Sequence, residues 1–152
     1  MSELRQRDNH QSRVSMRHNE DTLYLPIKQT YFEAIIAGTK KTEEREVKMG
    51  VTASRYLQKD KTGNPLLNPE VTEQGKAYYV DDYNDGKFPF LPKPYKYLSL
   101  AVGYAKERDT ALVEVTHITH KPARILGNPP KYAWWVQEFH LGNVIEVHRK
   151  GE

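Results

Sequence analysis

Apolar and polar residues alternate along "TLYLPIKQ" (22–29), with Leu23, Leu25 and Ile27 on one side, which is the period of a β-strand. Pro26 withholds a backbone N–H from this run, so the strand belongs at a sheet edge or near a strand end. The period then changes. Phe32, Ile35 and Ile36 stand at i, i+3 and i+4, the apolar face of a helix over 31–37. Thr30, with Glu33 three residues on, has the spacing of a capping box, and Gly38 supplies the stop. So short a helix takes its stability from packing.

Residues 41–48 follow as a second strand, and "VTASRYLQK" (51–59) reads as helical. The Gly, Asn and Pro of 60–76 mark an excursion loop, "AYYVDDY" (77–83) a strand, and 84–94 a second Pro/Gly loop. The β-rich runs 95–102 and 110–118 are joined by "GYAKERD" (103–109) as a wide hairpin. Gly142-Asn143 lies between "WWVQEFHL" and "VIEVHRK", the signal of a two-residue hairpin turn. Strands outnumber helices, with neither βαβ alternation nor an internal repeat. The expected fold class is mainly β with short helices, a small barrel with helices covering its ends.

Composition narrows this picture. The chain has 152 residues, enough for one domain with its own core. Residues 1–22 hold only Met1, Leu4, Val14 and Met16 as apolar residues, so they read as a disordered leader before a domain over 23–150. There is no Cys, which excludes a disulfide framework and a Cys-ligated zinc site. Neither a secretory h-region nor an apolar run of about 20 residues is present, so the expectation is a cytoplasmic protein without a membrane partner. Net charge is +3, compatible with a nucleic-acid partner without pointing to one.

The candidate chemistry begins at "GTKKTEER" (38–45), where five charges fall in six positions directly after the helix. On a strand Lys41, Glu43 and Arg45 share one face, while Lys40, Thr42 and Glu44 share the other. Lys40 and Glu43 converge only if Lys40 sits in the turn after Gly38 or a bulge intervenes, which places Lys40 on the lip of a site and Glu43 and Arg45 on its wall. The helix C-terminus and the nearby acids favour a charged Lys40 that binds phosphate or carbonyl oxygen. Glu43 suits an exocyclic amine, and Arg45 a phosphate or carbonyl. In the 103–109 loop, Tyr104 with Lys106 and Arg108 suits a stacked base with its phosphate held alongside. Trp134 and Trp135 point to opposite faces of a strand, so one belongs to a core and the other can line a pocket; we assign the pocket to Trp135. The six His make no metal set, and no cofactor motif is present.

"LPIKQTYFEAIIAGTKKTEEREVK" resembles the signature of the ASCH domain, the activating-signal-cointegrator homology domain, whose Gly-x-Lys-x-x-Glu-x-Arg pattern is matched by Gly38, Lys40, Glu43 and Arg45. "VGYAKERDTALVEV" resembles the family's later Gly-Tyr loop and strand, and "HLGNVIEV" its closing hairpin, so the resemblance covers about residues 22–149. It implies a PUA-like pseudo-β-barrel and binding of RNA or a modified nucleoside in a cleft near Lys40, Glu43, Arg45 and the 103–109 loop. The runner-up is a hydrolase in the same cleft, an amidohydrolase on a modified nucleoside or a ribonuclease, with Lys40 as base or clamp and Glu43 as acid/base. Family amidohydrolases acting on acetylcytidine place a Thr three residues after the Lys; Glu43 stands there in this chain, which argues against that reaction. A third reading is a protein-interaction module.

Overall fold

A computed structural model describes residues 21–69, 88–123 and 135–152. The strand expected over 77–83, Trp134 and all but the last two residues of the leader lie outside the described residues. The fold is mainly β. Its elements are β1 (Thr22–Ile27), α1 (Gln29–Ala37), β2 (Thr42–Val47), α2 (Ala53–Tyr56), β3 (Tyr97–Val102), β4 (Thr110–Pro122) and β5 (Trp135–His148). The strands form a five-stranded sheet in the order β1-β3-β4-β5-β2. Among the described residues no helix is long and apolar enough to cross a membrane.

The described residues divide into two compact units: 21–41, 94–117 and 140–152 form the first, and 42–69, 88–93, 118–123 and 135–139 the second. In the first, β1 pairs parallel with β3 from Thr22↔Tyr97 to Ile27↔Val102, and β3 pairs antiparallel with β4. Leu23, Leu25, Leu98 and Leu100 are buried, and α1 adds Phe32 and Ile35. The Asp21 carbonyl accepts the amides of Lys96 and Tyr97 at 2.7 and 3.0 Å, and Thr22 is buried within β1. As its Pro predicts, β1 stands at one end of the strand order. In the second unit Val47, Tyr56, Leu57, Phe88, Phe90, Trp135 and Phe139 form the core. The helix expected over 51–59 is only the single turn α2, because Leu57 turns extended and bridges Pro92.

Two local expectations are corrected. The capping box does not form: α1 begins at Gln29 after Lys28, without a side-chain cap. Glu33 is engaged elsewhere. Arg149 grips it in a fork, Nη1 to Oε2 at 2.7 Å and Nη2 to Oε1 at 2.8 Å, while Gln29 donates to Oε2 at 2.7 Å. The helix stop holds, with Gly38 at φ 83° and the amides of Thr39 and Lys40 closing on the Ala34 carbonyl. The second correction concerns Gly142-Asn143, which makes no hairpin turn, because β5 runs unbroken from Trp135 to His148. The glycine instead leaves room that neighbouring side chains fill. The Glu114 carboxylate and the Thr116 methyl occupy the space where a Cβ would stand, and Glu114 Oε1 accepts the Asn143 amide at 3.1 Å.

Arg149 joins three segments of the first unit. Besides Glu33 it reaches Asp109 Oδ2 at 3.2 Å and lies over the Phe32 ring, 5.3 Å from its centroid. Asp109 also accepts the Lys150 amide at 2.7 Å and the Gln29 side chain at 2.9 Å. The Arg149 guanidinium holds the Glu33 carboxyl below its ordinary value, and the Lys150 amide, followed by Gln29, does the same for Asp109. A carboxylate with a depressed folded pKa contributes stability above its unfolded value and loses it as pH falls through the folded one. The melting temperature should therefore drop as pH falls below about 4, the ordinary carboxylate range, and Arg149→Met should flatten that drop while lowering the plateau. Equal acid slopes in parent and variant would refute this assignment. Gly142→Ala should cost roughly 1–3 kcal/mol in urea unfolding, as overpacking does, and the cost should shrink in a Glu114→Ala background.

Candidate functional site

The charge cluster after α1 resolves by the alternation of β2. Glu43 and Val47 are buried and Arg45 is half-buried, whereas Glu44 and Glu46 are exposed. Glu43 is only 6 % exposed. A carboxylate taken out of water needs a cation and hydrogen bonds, and Arg45, two residues on along the same face, supplies both. Its Nε and Nη2 donate to Glu43 Oε2 at 3.0 and 2.7 Å. The outward acids are held separately: Lys121 reaches Glu44 at 3.0 Å and Glu138 at 3.5 Å, and Glu46 lies 3.3 Å from Lys48. The outward set is a solvated strand face, and the inward pair is the polar part of an interior.

The same unit holds a second polar pair, half-buried at one member and fully buried at the other. Gln137 is completely buried on β5, and its Oε1 lies 2.7 Å from His120 Nε2 on β4. With the amide oxygen facing the ring, the imidazole donates from Nε2. Its other boundary is Phe88, stacked on the His120 ring at 3.7 Å between centroids with planes 3° apart. Phe88 meets Trp135 edge-on at 5.2 Å. Burial drives the His120 pKa down to about 4, against smaller upward effects from Gln137 and Glu138. Gln137 Nε2 is buried with no hydrogen-bond partner among the described residues.

The other sequence-predicted residues divide as follows. Trp135 is 0 % exposed and belongs to the aromatic core rather than to an open pocket wall, because it sits on the same inward face as Gln137 and Phe139. Lys40 belongs to the first unit, half-buried, with its Nζ 5.2 Å from the centroid of the exposed Tyr31 ring. The 103–109 loop lies there too, closed by Val102 N donating to the Asp109 carbonyl at 3.0 Å. Tyr104 is 84 % exposed, Lys106 is exposed, and Arg108 donates to the Gly103 carbonyl at 3.1 Å, bracing the loop's own backbone. Gly103 itself sits at φ 72°, the left-handed conformation that opens this turn.

A concave pocket of about 330 Å³ also lies in the second unit, lined by Val51, Ser54, Leu57, Lys59 and Asn64 among others, and by none of the sequence-predicted residues. Among the described residues no three His, Asp or Glu side chains gather as a metal site. Sequence reasoning missed the His120–Gln137 pair, although one signal was present: Gln137 is a polar residue at an inward position between Trp135 and Phe139. Phe88 left none, since it falls in a segment that reads as a loop. Compared with protein-family models, curated proteins and solved structures, the chain gives no match.

A histidine whose folded pKa lies below its unfolded value stabilises the fold at neutral pH and loses that contribution as pH falls from about 6.5 towards about 4. Unfolding free energy should decline by up to about 3 kcal/mol across that window, since each tenfold change in proton affinity is worth roughly 1.4 kcal/mol. His120→Phe should remove this segment of the pH profile. An unchanged profile in the variant would show that His120 is not the group responsible.

Proposed function

We propose that the protein binds RNA or a modified nucleoside through a PUA-like pseudo-β-barrel of the ASCH type. The observation that carries this reading is the buried Glu43–Arg45 pair on β2, two of the four residues on which the ASCH resemblance rests. A carboxylate held in place by a guanidinium is a preorganised acceptor for an exocyclic amine of cytosine or adenine. The Arg45 side chain keeps 23 % of its surface accessible, so the pair offers a cation as well. The first unit contributes contacts of its own. Tyr104 presents an exposed ring face, and Lys106 beside it is a phosphate-binding cation; aromatic stacking with backbone neutralisation is how single strands are held.

Fluorescence anisotropy with short single-stranded RNAs over a salt series tests this. Affinity should fall as salt rises, because neutralised phosphates release counterions. Tyr104→Ala should weaken binding by roughly 1–3 kcal/mol, the worth of one stacked base. Glu43→Gln should lower the melting temperature, because Arg45 loses its counter-charge, and should alter nucleoside preference at temperatures where the variant is folded. No binding at low salt, or binding indifferent to salt and to both substitutions, would refute the reading. Incubation with acetylcytidine, followed by mass, should yield no product. Turnover abolished by both Lys40→Met and Glu43→Gln would establish a hydrolase instead.

A further inference from the structure

We propose that His117 and His140 form an exchangeable site for a divalent transition metal that favours imidazole, zinc(II) or copper(II). The two residues are 23 positions apart in the chain, yet β4 and β5 bring their rings into register in the first unit. The rings stack with centroids 4.1 Å apart and planes within 6°. Two imidazoles this close on neighbouring strands can present nitrogens to one ion once the His140 ring turns about χ2, a torsion that is broad for histidine, while Thr116 holds the His117 ring.

The neighbouring threonine sets the state of one ring. Thr116 Oγ1 donates its single proton to the His140 carbonyl at 3.1 Å. The same oxygen lies 3.0 Å from His117 Nδ1, so it can only accept there. His117 therefore carries its proton on Nδ1 and its lone pair on Nε2, at an exposed position of β4. A ligating histidine commonly has this arrangement, with its second ring nitrogen donating to an orienting group. The Thr116 hydroxyl also tethers the backbone of the second histidine. With two protein ligands the remaining coordination positions belong to water, so the ion exchanges rather than locking the fold. Imidazole nitrogens select copper and zinc over magnesium and calcium, which take oxygen. Among the described residues, His120 belongs to the second unit with its Nε2 on Gln137, and the exposed His148, 3.7 Å from Glu146, serves as the control.

The test is titration of the full chain with zinc(II) by calorimetry and with copper(II) by electron paramagnetic resonance. The parent should bind one ion, and the copper spectrum should carry the splitting of two imidazole nitrogens. His117→Gln and His140→Gln should each reduce that splitting to one nitrogen and weaken binding at least ten-fold. Thr116→Val should weaken it about ten-fold, the usual effect of losing an orienting group, with both nitrogens retained. His148→Gln should change nothing, and calcium(II) should not bind. Matching melting temperatures will show that the glutamine variants are folded; if one is not, the parent's nitrogen count and the His148→Gln control decide by themselves. No binding by the parent, a spectrum without two nitrogens, affinity unchanged in the two glutamine variants, or equal loss in His148→Gln would each overturn the site.

Discussion

A carboxylate inside a protein constrains everything around it, because its charge must be answered by a cation and hydrogen bonds before apolar neighbours can close over it. Glu43 imposes that condition on β2. The strand period brings Arg45 to the same face two residues later, and the guanidinium meets one carboxylate oxygen through two of its nitrogens. The inward side of β2 thereby becomes polar at one end and apolar at Val47, while the acids between them turn outward to Lys121 and Lys48. Three charges in a row at 43–45 are compatible with one strand because the alternation sends Glu44 to the face opposite Glu43 and Arg45, while Lys40 and Lys41 precede the strand.

The interior of the second unit repeats this compromise on β5. Gln137 sits between Trp135 and Phe139 at inward positions, and its amide takes the His120 ring as partner, with Phe88 closing the other side of that ring. An unmade hydrogen bond in such surroundings costs about 1–3 kcal/mol, so an amide and an imidazole kept there are held to one geometry. The first unit is organised differently. Its buried apolar residues are Leu, Val, Ile and Ala111 with Phe32, and Arg149 links Glu33, Asp109 and the ring of Phe32.

Much of this was readable along the chain. Alternation located β1 and β2, the period of Phe32 and Ile35 located α1, and Gly38 ended it, because each signal depends on residues within one or two turns of chain. Where reading failed, a distant side chain had taken over a local group. Thr30 and Glu33 have capping-box spacing, but Arg149, 116 residues away, holds the Glu33 carboxylate. Gly142-Asn143 has the composition of a turn, yet it lies inside β5, where the Glu114 and Thr116 side chains of a neighbouring strand fill the space beside the glycine. Sequence alone assigns Trp135 to a pocket, but it is fully buried among Phe88, Gln137 and Phe139 of its own unit and belongs to the core.

The sequence by itself determined the mainly β class, the helix that Gly38 ends, the strand that carries Glu43 and Arg45, and the face on which those two meet. Those features arise from backbone period and from groups two to four residues apart, whose geometry a strand or helix sets without outside help. Tertiary structure alone decided that Glu43 is buried rather than solvated, that His120 meets Gln137, and that His117 stacks on His140. Each depends on which strands lie side by side, and that choice is made by burial of apolar surface across the whole sheet rather than by any short stretch of chain.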